Sequence, residues 1–274
     1  MVKRGLQMKK YFKGALLILI LIMAITGLKA GPPYFTDDPD PVKFHHWEFY
    51  LSTQHIFDVR NSSAAGSLPQ VEVNYGVVPN VQLHLVVPLA YQFSSPHSFE
   101  MGYTSTEAGV KYRFVKEKKN IPEIGVFPIV EIPTISDPRF TDQKIQVFLP
   151  VWFQKSWNKF TSYGGAGYWI NPGAGNKNWV FAGWQAQYDF SEFLTLGSEL
   201  YYHTAATTGY RAISGFTTGG SLNFTEHIHL IFSGGHSIVN ENLATAYFGL
   251  YITSDSKMCE LCNYFLKLYN TNNK

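Results

Sequence analysis

Charge is scarce in this chain, long apolar runs are nearly absent, and cysteine occurs twice. Only 15% of the 274 residues are charged, against roughly a quarter in an ordinary soluble domain. One uncharged apolar stretch exists, from Gly14 to Gly27, so a polytopic helical membrane protein is excluded. No block of Lys and Arg stands beyond the N-terminus, which argues against a nucleic-acid partner. Cys259 and Cys262 form one C-x-x-C near the C-terminus. There is no second pair to complete a zinc site and no βαβ context for a redox motif. The pair reads as incidental to a tail, and neither metal nor cofactor is expected. An apolar period of 3.6 is missing after residue 31, so amphipathic helices are not expected either. Aromatic residues are abundant instead, with 21 Phe, 17 Tyr and 6 Trp. Disorder is excluded, because the chain can bury a large apolar area.

The N-terminus reads as an address. Lys3, Arg4, Lys9, Lys10 and Lys13 precede the apolar stretch, and Leu28-Lys29-Ala30 follows it. A basic region, a short apolar core and a small residue at the cleavage point make a secretory signal peptide over residues 1–30. Without those residues the chain holds 16 basic and 20 acidic groups, a net charge of −4. Residues 31–43, with Asp37, Asp38, Asp40 and several prolines, then form an extended acidic leader. That leader can serve as a tether or as a plug.

Period-two alternation fills the rest. Val81, Leu83, Leu85, Val87, Leu89 and Tyr91 share one face, and Gln82, His84 and Gln92 the other. Leu149, Val151 and Phe153 oppose Gln146 and Gln154; Val180, Trp184 and Tyr188 oppose Gln185 and Gln187. Twelve such segments fall between residues 44 and 253, most about ten residues long, the length of a tilted membrane strand. Pro79-Asn80, Asn158-Lys159, Ser191-Glu192 and Thr225-Glu226 are tight links. Between them come links near 58–67, 93–103, 133–143, 170–177, 204–214 and 236–243, which read as long. Loop length sorted by parity, with an even strand count, predicts a closed antiparallel transmembrane β-barrel with short periplasmic turns and longer external loops. Trp47, Tyr91, Trp152, Trp157, Trp169, Trp179, Tyr188 and Tyr202 lie near strand ends and are expected in aromatic girdles. Residues 254–274 form an atypical tail beyond the last strand.

The leader and first strand read Gly31-Pro32-Pro33-Tyr34-Phe35-Thr36-Asp37-Asp38-Pro39, Pro41-Val42 and His46-Trp47-Glu48-Phe49-Tyr50. This phrase resembles the bacterial outer-membrane barrels named for the MetA pathway of phenol degradation. The resemblance implies passage of aromatic compounds across a Gram-negative outer membrane.

The polar parity supplies the candidate pore lining: Glu48, Glu72, His84, Glu107, Lys111, Arg113, Glu123, Glu131, Glu199 and His203. Arg113 is expected opposite Glu123. His84, His203, His227 and His229 share this parity on three strands, too dispersed for a metal site. Ser198 falls on the lipid parity with no histidine beside it, which argues against catalysis. The reading is therefore a non-enzymatic passive channel for small solutes, aromatic or hydrophobic ones included. Its partners are outer-membrane lipids and the barrel assembly machinery. Two alternatives remain open: a structural or surface-interaction barrel with a filled lumen, and a membrane-embedded lipid hydrolase. If the lumen conducts, its excess of carboxylates predicts cation preference. Reversal potentials of the conducting barrel should show that preference, reduced by Glu72→Gln with Glu199→Gln; anion preference with both glutamates in place would contradict the parity assignment.

Overall fold

A computed structural model describes residues 32–94, 98–134, 140 and 144–254. The expected signal peptide, residues 1–30, and the tail beyond Ser254 lie outside the described residues. Every regular element described is a strand. They are β1 (Trp47–Asp58), β2 (Ser63–Val78), β3 (Val81–Ser94), β4 (Ser98–Tyr103), β5 (Thr106–Val115), β6 (Glu123–Val126), β7 (Ile129–Ile132), β8 (Gln146–Trp157), β9 (Phe160–Ile170), β10 (Trp179–Asp189), β11 (Leu194–His203), β12 (Ile213–Asn223), β13 (Ile228–Val239) and β14 (Leu243–Ser254).

These fourteen pieces make twelve staves. β4 and β5 both pair with β3 and form one stave interrupted at Thr104-Ser105. β6 and β7 both pair with β5 and β8, and form another interrupted at Phe127-Pro128. Proline lacks the N–H a ladder needs, so an interruption there is expected. Neighbouring staves are antiparallel throughout, and β1 pairs with β14 from Trp47↔Ser254 to Asp58↔Leu243. The sheet is thereby a closed twelve-stranded barrel.

Three links read as long from sequence are short: the span 93–103 is mostly strand, since Ser98–Tyr103 is β4, laddered to β3. The β1–β2 link covers residues 59–62 and the β13–β14 link covers 240–242. Ser63-Ala64-Ala65-Gly66 looks like loop by composition but is laddered to both β1 and β3. A Cβ on Gly66 would lie 1.9 Å from the Gln54 carbonyl oxygen, so the small residue serves close strand approach. In the tight turns, Asn80 (φ 68°) and Asn158 (φ 56°) take the left-handed conformation that asparagine tolerates best among residues with a side chain.

Lipid-side exposure follows the alternation. Leu83, Leu85, Val110, Leu149, Trp184, Leu200 and Phe248 are exposed, and the residues between them are largely covered. The aromatic girdle needs correction. Trp157, Tyr188 and Tyr202 are exposed as expected, but Trp152 is 1% exposed and Tyr91 is buried with its hydroxyl 2.6 Å from His55 Nδ1. Trp152, Trp169 and Trp179 turn inward. The reason is parity: Leu149, Val151 and Phe153 take the lipid face of β8, so Phe148 and Trp152 must take the other.

A closed ladder of this kind resists denaturants. The folded barrel should stay in outer-membrane fractions through urea extraction and shift in gel mobility when heated; release as a soluble protein would contradict it. Leu200, in mid-strand on the lipid face, gives a sharper test. Leu200→Arg should cost about 2–4 kcal/mol of unfolding free energy measured in bilayers, and a negligible cost would contradict the lipid-facing assignment.

Candidate functional site

The acidic leader lies inside the barrel. It pairs with β2 at the short-turn end, where His45 N–H donates to the Gly76 carbonyl (2.8 Å) and Phe44 bridges Gly76. It then runs into the lumen, where Thr36 and Asp38 are fully buried and Val42 is 2% exposed.

Groups from opposite walls hold it. The backbone N–H groups of Phe35 and Thr36 each donate to one oxygen of Glu199 on β11, both at 2.9 Å. Such charge-assisted bonds are about twice as strong as neutral ones. On β5, Lys111 Nζ lies 2.9 Å from Asp37 and 3.6 Å from Asp38. Arg113 is ion-paired with Asp40 and lies 3.2 Å from Glu123. The expected Arg113–Glu123 meeting occurs, although the register sets Gly125, not Glu123, directly across from Arg113. Val42 N–H donates to Gln82 on β3 (2.9 Å), and Ser233 on β13 donates to the Pro33 carbonyl (2.6 Å).

The wall is shaped for this segment. A Cβ on Gly183 would sit 2.0 Å from Thr36 Oγ1, and one on Gly76 would sit 2.0 Å from the Lys43 carbonyl oxygen. Only glycine leaves room for the leader at both places.

The other candidate residues fall as follows. His84 bridges two carboxylate-bearing strands. Asn74 donates from Nδ2 to Glu72 (2.8 Å), which turns its Oδ1 toward His84 Nδ1 (2.7 Å), while Nε2 faces Glu107 (2.7 Å). Glu131 pairs across from Glu107 in the β5–β7 register. Glu48 accepts from the Tyr50 hydroxyl at 3.3 Å. His203 sits edge-on to Trp179 and is apart from the charged cluster. Among the described residues no three His, Cys, Asp or Glu side chains converge as metal ligands. Ser198 shares a hydrogen bond with Thr218 (2.9 Å), another hydroxyl rather than a base.

The feature missing from the sequence reading is an aromatic wall inside the barrel. Phe148, Trp152, Phe181 and Tyr201 are buried together with Phe127 and Ile129. Trp169 stacks between Phe148 (4.7 Å between centroids, 12°) and Trp179 (5.3 Å, 10°). Phe35 of the leader meets Tyr201 edge-on at 5.0 Å. Gly165 and Gly167 of β9 lie under the Trp152 and Phe148 rings, so the glycine run Gly164–Gly167 makes room for rings, as strand glycines do. The signal was available in Gln146 and Gln154, which bracket Phe148 and Trp152 on one parity.

No family model and no curated protein matches the sequence. Among solved structures, the fold is similar to the COG4313 outer membrane channel from Pseudomonas putida F1. That match has 14% identity, covers 82% of this chain and 100% of that one, and has a TM-score of 0.66. It is also similar to the KdgM porin in complex with disordered oligogalacturonate, at 9% identity, 75% and 99% coverage and a TM-score of 0.50. Identities this low establish the fold. With a closed ladder and an apolar outer wall, the chain is an outer-membrane β-barrel.

The docking of the leader predicts a mutational response. Lys111→Met leaves the Asp38 carboxylate buried without its cation, and breaking such a buried pair costs about 3–5 kcal/mol. The leader should undock, and Asp37→Asn with Asp38→Asn should restore docking. A cysteine at residue 36, with Cys259 and Cys262 replaced by Ser, reports this through a water-soluble maleimide. It should be shielded in the parent and reactive in Lys111→Met; equal reactivity in both would contradict the latch.

Proposed function

We propose that this barrel is a passive channel for small solutes with a ring or an apolar body, closed across its middle by its own leader. The observation that carries the reading is the pairing of a polar, displaceable plug with a lumen wall of stacked rings. A lumen filled for stability alone would need no segment held chiefly by hydrogen bonds and ion pairs. Water can take over such contacts only once the segment has left the lumen and both partners are solvated. The aromatic wall offers flat apolar area to a passing ring, and stacked or edge-on ring contacts are worth about 0.5–1.5 kcal/mol beyond burial. Twelve strands lie between barrels filled by their own side chains and wide aqueous porins, which suits small solutes. The Gly31–Pro39 phrase, which carries the resemblance to the phenol-pathway barrels, falls largely within the docked leader. Membership of that family and an aromatic cargo are part of this proposal.

In planar bilayers the chain beginning at Gly31 should be nearly silent, and the chain lacking residues 31–43 should conduct. Proteoliposomes of the shortened chain should take up a small monocyclic aromatic faster than an aliphatic solute of equal size. Trp169→Ala with Trp179→Ala should remove that preference without reducing total conductance. A shortened barrel that folds yet stays silent would favour a structural role.

A further inference from the structure

The short links of the barrel are basic in one sector. The β5–β6 link, residues 116–122, carries Lys116, Lys118 and Lys119, and the β8–β9 turn carries Lys159. All four are exposed, and among the described residues none of their ammonium groups has an ion-pair or hydrogen-bond partner. The β2–β3, β10–β11 and β12–β13 links hold no Lys or Arg, and the last two carry Glu192 and Glu226 instead. In sequence the four lysines are split between two links; the pairing of β6 with β8 sets those links side by side.

The acids nearby are already occupied. Glu117 is ion-paired with Lys155 of β8 and accepts the Ser156 N–H at 3.3 and 3.2 Å. Lys155 also donates to the Lys118 carbonyl at 2.9 Å. Asp189, whose N–H donates to the Lys159 carbonyl, turns its carboxylate to the Thr195 hydroxyl (2.6 Å). The two links with Lys155 therefore hold five ammonium groups against one carboxylate, a net charge of +4, on a chain that is −4 from Gly31 on.

This sector lies at the membrane edge of the rim. Lys155 shares its parity with Leu149, Val151 and Phe153, the lipid face of β8, so its pairing with Glu117 holds the β5–β6 link against the outer edge of that strand. Exposed rings accompany the lysines: Phe114 precedes Lys116, and Trp157 and Phe160 flank Lys159 with centroids 5.9 Å apart. Rings so placed mark the headgroup level of a bilayer, and long lysine stems carry their charge to phosphates at that level.

From these features we infer that the sector binds an anionic phospholipid of the periplasmic leaflet. Its phosphate is held by Lys116, Lys118, Lys119 and Lys159, and its chains lie over Phe114, Trp157 and Phe160. Basic clusters beside a membrane span attract anionic lipid in this way. A zwitterionic lipid brings its own ammonium beside the phosphate, so uncompensated lysines favour the lipid that lacks one. The inference goes beyond the channel reading and stands without it.

Native mass spectrometry tests it, on the chain from Gly31 on in micelles holding equal amounts of palmitoyl-oleoyl-phosphatidylglycerol and the corresponding phosphatidylethanolamine. The parent should retain at least one phosphatidylglycerol, preferred by at least about tenfold. Lys116→Ser, Lys118→Ser, Lys119→Ser and Lys159→Ser combined should remove most of that preference while the heat-dependent gel shift is kept. Should that variant lose the gel shift, Lys118→Ser with Lys159→Ser takes its place, with the preference reduced at least about threefold. Lys144→Ser with Lys177→Ser, at the long-loop rim, should leave the preference intact. Equal retention of both lipids by the parent would overturn the inference and leave an acidic periplasmic protein as the partner of the patch. So would a folded short-turn variant that keeps the parent's preference, or a long-loop pair that loses as much of it. A barrel that prefers the anionic lipid but passes no solute would keep this inference and lose the channel.

Discussion

In hydrocarbon, a backbone N–H or C=O without a partner costs several kcal/mol, and no water is present to supply one. The pairing of β1 with β14 is how this chain meets that constraint. Once the ladder closes, each side chain has only two destinations, lipid or lumen, and they alternate along every strand. The rest of the architecture follows from that division. Leu200 and Phe248 can lie outside because Glu199 and Tyr247, their neighbours in sequence, lie inside. A barrel of this size then has an interior to fill, and this one fills it with a segment of itself.

That filling is asymmetric. Toward β3 and β5 the leader meets charge: Lys111 with Asp37 and Asp38, and Arg113 with Asp40. Toward β11 it meets one carboxylate, Glu199, which takes two backbone N–H groups. Glu199 and Glu72 are accordingly occupied groups, the latter in the network through Asn74 to His84. A simple count of carboxylates along a pore therefore misses their role while the plug is seated: they organise the interior before they can act on a solute. The aromatic wall on β8, β9, β10 and β11 meets the leader through a ring contact, Phe35 edge-on to Tyr201. Polar anchors thus hold the leader on two sides, and a ring-lined surface faces it on a third.

Much of the fold was legible because alternation at period two is a strong signal when one face meets lipid. The twelve staves, the tight turns at Asn80 and Asn158 and the polar parity could all be read directly. Loop lengths were less legible, since Ser63–Gly66 has a loop's composition but a strand's pairing. Composition reports what a residue tolerates, whereas pairing is decided by the strands beside it. The inward tryptophans were obscured by the expectation that large rings seek the membrane interface. Strict use of parity places Trp152 with Gln154 and so in the lumen. Asp37, Asp38 and Asp40 were visible as an acidic run, but whether that run was tether or plug could not be read from it. The deciding groups, Lys111, Arg113, Glu199 and the space at Gly183, lie roughly 70 to 160 residues away, and only the closed barrel brings them to the leader.

Occupation of the lumen by the leader is the central claim, and a cross-link tests it most directly. A Cβ on Gly125 would lie 3.0 Å from the Cβ of Pro39, slightly inside the 3.5–4.5 Å range usual for disulfides. With Cys259 and Cys262 replaced by Ser, the pair Pro39→Cys and Gly125→Cys should form a disulfide in most molecules when outer membranes are mildly oxidised. Moving the second cysteine to the lipid-facing neighbour Ile124 should abolish it. A folded, heat-shifting barrel in which residues 39 and 125 do not cross-link would place the leader outside the lumen and contradict the account.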